Sequence, residues 1–257
     1  MICRFKTNDF EFEYLESKIH HAVLWESHCH VQYEMIAVAD GDITVMLEGQ
    51  KYRLKKNQVI IIPPLFYHSV TANGEGHYRR ITALFGVDAI PDVLRCEFAN
   101  QGRYTAIDVF RMEKIKEIFQ KQDSSFYAPL LRSLMTEIFY DALQTPQAPT
   151  KIESDEFLKK VFEYIDLHLH EKILLDDLAQ YTSRSKSSLC HLFEAKMNIS
   201  PKQYILQKKL ALASKLISEG MPPSIAAIQI GYENYCNFYR IYLKHFGKSP
   251  TKKETSK

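Results

Sequence analysis

A repeat of about 50 residues near the C-terminus constrains this chain more than any other feature. The first copy runs Leu178-Ala179, a short turn, Leu192-Phe193, then Ser200-Pro201. The second runs Ala226-Ala227, a short turn, Ile241-Tyr242, then Ser249-Pro250. Ala179 precedes Phe193 by 14 residues and Ala227 precedes Tyr242 by 15, whereas Phe193 to Ser200 and Tyr242 to Ser249 are both seven. One residue inserted in the turn is the only slip in register. The small alanine lets a second helix cross closely. On that second helix Leu189, Leu192 and Phe193, or Phe238, Ile241 and Tyr242, fall at helical spacing and turn inward. Each copy therefore reads as a helix-turn-helix unit, over about residues 173–197 and 222–247. Two such units in one chain suggest contact with two successive segments of duplex DNA.

The faces left outward are polar. They hold Lys186, Ser187, Ser188 and His191 in the first copy, and Asn234, Tyr235, Asn237 and Arg240 in the second. These side chains offer donors and acceptors to base edges in a major groove. Ser185 fits the N-cap of the first reading helix. Lys196, Lys202, Lys209, Lys244 and Lys248 are placed to meet phosphates. Between the units, Lys202 to Glu219 forms an amphipathic run of 18 residues. As a helix it would span about 27 Å, of the order of the ~34 Å turn of duplex DNA. Charge agrees in direction. Residues 157–257 carry 16 Lys/Arg against 9 Asp/Glu, while residues 1–156 carry 17 against 22. A basic half that also holds the repeat suits a polyanion partner. The competing reading is a bundle of five or six helices with no role on DNA.

The rest of the chain reads differently. From residue 9 to about 85, short apolar runs are broken by turn residues such as Asp40-Gly41-Asp42, Glu48-Gly49-Gln50 and Asn73-Gly74. Val59-Ile60-Ile61-Ile62 stops at Pro63-Pro64, which cannot continue a ladder. Many short strands predict a small barrel or sandwich. After about Val109 the period becomes helical. Phe110, Ile115, Ile118 and Phe119 fit one stripe, and Leu130, Leu131, Leu134, Ile138 and Leu143 fit another. Those stripes must be buried on the barrel or on a second copy, and the second helix leans toward dimerisation. Residues 144–156, with two prolines and no apolar period, read as a linker. The five cysteines (Cys3, Cys29, Cys96, Cys190, Cys236) have no metal-type spacing and read as reduced thiols. No signal peptide and no run long enough for a membrane span is apparent, so a cytoplasmic protein with no membrane partner is expected.

Residues 160–253 resemble the double helix-turn-helix domain of the AraC/XylS family of bacterial transcription regulators. The second copy carries the resemblance best, through Ile230-Gly231-Tyr232-Glu233-Asn234 and the run from Asn237 to Pro250. The first matches through Asp177-Leu178-Ala179, Ser185, Leu189, Leu192-Phe193 and Ser200 to Tyr204. Several positions depart from the family's pattern. Ser183-Arg184 replaces a glycine and an apolar residue in the first turn. His191 stands where an Arg is common, and Lys209 where an Arg is usual. Pro223 and Ala226 replace larger aliphatics. At neutral pH a histidine lacks the charged fork of an Arg. Arg240 is therefore expected to discriminate bases better than His191. The resemblance implies double-stranded DNA, RNA polymerase and a second copy of the chain as partners, and an activator as the output.

The N-terminal half carries a second constellation. His28, His30 and Glu34 share a strand face, and His68 follows 34 residues after Glu34. The pattern resembles the cupin barrel, some of whose members are metal-dependent enzymes. Two uses stay open. These groups, with Trp25 and Tyr78, line a metal-free pocket for a small-molecule effector, or His28, His30, Glu34 and His68 hold a metal. No cofactor is expected on the first reading. The whole chain is thus expected to be α+β in two domains. A cupin-like β-barrel with helices covers 1–143, a linker 144–156, and an all-α double helix-turn-helix 157–257. The function expected is an effector-controlled transcription regulator and not an enzyme. The alternative is a cupin-type metal-dependent enzyme with a helical appendage.

Overall fold

The computed structural model describes residues 2–7, 9–25, 28–98, 103–120, 127–144 and 150–251. The chain divides into two compact units, Met1–Ser154 and Asp155–Lys257. In the first unit the strands are β1 (Ile2–Lys6), β2 (Phe10–Ile19), β3 (Val23–Leu24), β4 (Tyr33–Asp40), β5 (Asp42–Leu47), β6 (Gln50–Lys55), β7 (Gln58–Ile62), β8 (His68–Ala72), β9 (Gly76–Phe85), β10 (Arg103–Ala106) and β11 (Thr150–Ser154). The helices are α1 (Asp92–Phe98), α2 (Val109–Gln120) and α3 (Tyr127–Gln144). One sheet has the order β1-β2-β9-β4-β7-β10 and the other β11-β6-β5-β8-β3. All strand pairs are antiparallel.

Burial follows from what covers each face. In β5, Ile43, Val45 and Leu47 are buried while Asp42, Thr44 and Met46 are half-exposed, the period of a strand covered on one side. In β4 and β7 nearly every residue is buried, because their sheet is covered on both faces. On one face Phe10, Phe12, Met35, Ala37, Ile61, Ile81 and Phe85 pack with Met112, Ile115, Leu131, Leu134, Ile138 and Phe139 of the helices. On the other, Ile36, Val38, Ile60 and Ile62 meet Ile43, Val45, Leu54, Val70 and Ala72 of the second sheet. The order is helices, sheet, sheet. Gly41 turns the chain between β4 and β5 at φ +95°, where a Cβ would lie 3.2 Å from the His77 carbonyl oxygen.

Three expectations are corrected. The α3 stripe is buried within its own unit, on the sheet, so it is not left for a second copy. Phe110 and Leu130 leave their stripes, being 68% and 38% exposed. The linker expected over 144–156 is shorter. Gln144 still belongs to α3, and Thr150–Ser154 pairs with β6 as an edge strand. Residues 145–149 of that segment lie outside the described residues.

The second unit is helical: α4 (Glu156–Leu167), α5 (Leu175–Tyr181), α6 (Lys186–Met197), α7 (Pro201–Ser218), α8 (Pro223–Gln229) and α9 (Tyr235–Phe246). The helix starts are written in the sequence. Asp155 caps α4 by accepting from the Phe157 and Leu158 amides. Ser200 and Gln203 close a capping box on α7, with Pro201 at its first position. Phe162, Phe193 and Tyr204 form an aromatic triangle under the first helix-turn-helix, with centroids 5.1–6.1 Å apart. Leu210, Ala226, Ala227, Ile230, Phe238 and Tyr242 form the core of the second.

Candidate nucleic-acid interface and sensor site

The two reading helices match residue for residue. Ser185 and Asn234 are their N-caps, accepting from the Ser188 and Asn237 amides at 3.2 and 3.0 Å. Each ends 13 residues after its cap at a left-handed residue, Asn198 (φ 57°) or Gly247 (φ 67°). The preceding turns contain a left-handed Ser183 (φ 55°) and a left-handed Gly231 (φ 77°). Ser183 thus adopts the backbone that a glycine serves in the other copy. The inserted residue lies after it, since one residue separates Ser183 from its cap and two separate Gly231 from Asn234.

With Leu189 and Phe193 or Phe238 and Tyr242 buried, the opposite face of each helix is fixed by 3.6-residue geometry. It presents Ser187, His191 and Ala195 on α6, and Cys236, Arg240 and Lys244 on α9, all exposed. Asn237 is exposed beside them and Ser188 is half-buried. Two of the readers expected from the sequence also have structural roles. Tyr235 is half-buried against Phe238, 5.9 Å between centroids, and belongs to the core side. Asn234 is exposed, but its Oδ1 is committed to the cap. Cys236 was missed. Its spacing of four from Arg240 places it there.

The lysines divide in the same way. Lys202, Lys244 and Lys248 are exposed. Lys186 pairs with Asp176 at 2.8 Å and Lys196 with Asp155 at 2.5 Å, so acidic side chains hold both. Lys209 contradicts its expected phosphate role. It is 6% exposed, and its ammonium donates to the carbonyls of Leu169 (3.1 Å), Ile230 (2.6 Å) and Glu171. Burial pulls it down to about 8, against a small opposing effect of the Glu171 charge. Three carbonyls leave no donor for a phosphate.

In the first unit the structure brings His28, His30, Glu34 and His68 together, one donor atom from each lying within 4.8 Å of the others. Backbone pairing does part of this. The amides and carbonyls of His28 and His68 bond reciprocally at 3.0 Å. The inter-sheet face of β4 aims Glu34 inward, where its Oε2 lies 2.7 Å from His68 Nε2 and 3.1 Å from His30 Nε2. Burial alone would raise the Glu34 carboxyl, but hydrogen bonds and charge from His30 and His68 hold it well below the usual carboxylate range. Burial alone would lower His68, and Glu34 raises it instead. Three imidazoles and a carboxylate are a donor set that fits a divalent transition-metal ion. Trp25 is half-buried, 5.4 Å from Tyr78 and under the Arg80 guanidinium at 4.6 Å. Tyr78 is fully buried among inter-sheet side chains.

These features define a class: a helical unit with two register-matched helix-turn-helix readers, carried on one chain with a β-rich ligand-binding unit. Residues 11–158 match the model of the AraC-like ligand binding domain, and residues 178–254 match a helix-turn-helix domain model. The chain belongs to the AraC family of transcription regulators. It is similar to the uncharacterised HTH-type transcriptional regulator YdiP of Escherichia coli (strain K12), 26% identical over 88% of this chain and 80% of that one. It is also similar to the uncharacterised HTH-type regulator YbfI of Bacillus subtilis (strain 168), 31% identical over 81% and 79%. A crystal structure of ToxT from Vibrio cholerae aligns over 95% of this chain and 96% of that one, at 10% identity and TM-score 0.44. The chain is an AraC-type regulator with a ligand-binding domain and a helix-turn-helix DNA-binding domain. The enzyme alternative finds no support in these relatives. Among the described residues, no helix is long and apolar enough to cross a membrane.

Proposed function

We propose that the chain is a cytoplasmic activator that reads DNA unequally with its two helix-turn-helix units, under control of a small ligand held by the first unit. It acts as a homodimer and recruits RNA polymerase. The observation that carries this reading is the outward face of α9, where Arg240, Asn237 and Cys236 stand exposed together. Arg240 offers a bidentate fork to guanine O6 and N7, worth about 1–3 kcal/mol against a wrong base. Asn237 suits adenine, and the small Cys236 thiol suits a thymine methyl. On α6 the matched positions are Ser187 and His191, which lack that fork, so α6 contributes mainly to placement. Lys202, Lys244 and Lys248 supply contacts to phosphates.

The test is selection of binding sites from random DNA with the full chain, followed by Arg240→Ala and His191→Ala on the selected and a scrambled site. Arg240→Ala should lose about 10–100-fold on the selected site and little on the scrambled one. Equal losses on both DNAs would refute the reading role of Arg240. A larger selective loss for His191→Ala would reverse the order of the two units.

A further inference from the structure

We infer that Lys209 is a positioning residue for DNA recognition: its ammonium fixes where α9 stands relative to α6, and so which spacing of half-sites the protein accepts. This rests on the reading of both helix-turn-helices as DNA contacts. Ile230 is the C-cap of α8, while Leu169 and Glu171 lie in the connection between α4 and α5. Their carbonyls converge, and a carbonyl only accepts, so no two of them can bond to each other. The Lys209 ammonium has three hydrogens and donates to all three oxygens, at 3.1 Å for Leu169, 2.6 Å for Ile230, and to Glu171. The end of α8 adds the partial negative charge of a helix C-terminus, which also favours a cation there. One buried side chain on α7 thus holds the connection after α4 and the end of α8 at a single point.

That point lies between the two readers. On one side the connection leads into α5, which packs on α4 and α6. On the other, Ile230 precedes Gly231 and the turn into α9, capped at Asn234. Two further contacts cross the same joint. His170 Nδ1 donates to the Gln229 carbonyl at 3.0 Å, and Gly231 lies so near Glu171 that a Cβ would be 2.6 Å from its carbonyl carbon. Elsewhere α7 meets α8 through apolar side chains, Leu210 and Ala213 with Ala226, Ala227 and Ile230. Apolar packing has no direction, whereas three hydrogen bonds from one ammonium do. Without the ammonium, three buried acceptors are left unmet. Opening the joint to water satisfies them, and α8 with α9 then turns on α7. One inserted base pair moves a half-site by about 3.4 Å along the duplex and about 34–36° around it. A joint that holds α9 against such a shift lets spacing be read. Lys208, also buried on α7, supplies the contrast. It pairs with Asp166 of α4 at 2.9 Å, on the side of the first reader.

The test uses the full chain with spin labels, introduced as unnatural side chains, in place of Glu194 on α6 and Leu243 on α9, both exposed. The distance between the labels is measured without DNA. Wild type, Lys208→Met and Lys209→Arg should each give one narrow distance, the last because it keeps charge and donors. Lys209→Met should broaden or shift it by at least about 3.4 Å, one base-pair step. His170→Ala, at the exposed edge of the joint, should act in the same sense by less, and it keeps the test open if Lys209→Met does not fold. Wild-type distances in both variants overturn the inference, and so does an equal change in Lys208→Met. The same proteins are then bound to the selected site with and without one base pair inserted between its halves. Wild type should lose about 10–100-fold on the insertion and Lys209→Met less than about 5-fold. A wild type indifferent to the insertion overturns the role in spacing, and leaves the regulator reading standing where Arg240→Ala still removes selection. A wild type that selects no site sinks the regulator reading, and the label distances then decide the joint.

Discussion

Lys209 shows how one side chain can change meaning between sequence and structure. A lysine in a basic helix next to two DNA readers looked like a phosphate contact, and burial is what decides otherwise. Its ammonium ties together the carbonyls of Leu169, Glu171 and Ile230, from the chain after α4 and the end of α8. Replacing it with Met should leave buried acceptors unmet, at about 1–3 kcal/mol each. We expect a loss of about 2–4 kcal/mol in denaturant unfolding followed by far-UV circular dichroism. The pH dependence has a defined sign. The folded value is lowered to about 8 from 10.5. Between these values the unfolded chain holds more protons at this site, so raising pH favours the folded state there. Below pH 8 both states are protonated and the contribution is flat. The stability gap between wild type and Lys209→Met should therefore widen from pH 8 to 10.5, and a gap that narrows would mean that the neutral amine loses more in hydrogen bonds than it gains in desolvation.

At the scale of elements, the repeat was legible because its information is local. Caps, αL stops and buried positions are set within a dozen residues, and Ser185, Leu189, Phe193, Phe238 and Tyr242 fall where the pattern put them. The turn was misleading in one respect. Ser183 looked like a departure from glycine, yet it holds the same left-handed backbone. The two turns should therefore respond oppositely. Gly231→Ala meets the Glu171 carbonyl carbon at 2.6 Å and an unfavourable φ, so it should cost well over about 1 kcal/mol. Ser183→Gly should change stability by less than about 1 kcal/mol, relief of strain offsetting lost chain entropy. Thermal denaturation of the two variants checks the pair. A cap gives a separate contrast with a reader. Asn234→Ala should cost about 1 kcal/mol of stability. It should weaken binding to selected and scrambled DNA alike, whereas Arg240→Ala should act on the selected site. A sequence-selective defect in Asn234→Ala would return that residue to the readers.

For the whole molecule, the two-part organisation was readable from the change of hydrophobic period and of charge, while the boundary was not. Thr150-Lys151-Ile152-Glu153-Ser154 has one strongly apolar residue and follows two prolines, so nothing local marks it as a strand. It is a strand because the edge of β6 offers a ladder nearly 100 residues earlier in the chain, and such pairing leaves no local trace. The His28–His68 convergence was half legible for the same reason. The strand period read through His28, His30 and Glu34 does not hold, since only Glu34 lies on a strand and residues 28–32 are an isolated bridge followed by bends; the bridge between His28 and His68 and the pairing of β5 with β8 bring the groups together. Each unit has its own packing, the first around Met35, Phe85 and Phe139, the second around Phe162 and Phe193 under one helix-turn-helix and Phe238 under the other. Calorimetry of the full chain should accordingly resolve two transitions. Duplex DNA should raise only the transition of the helical unit, by an amount that grows with DNA concentration. A single peak that DNA moves as a whole would mean that the two units unfold as one cooperative body.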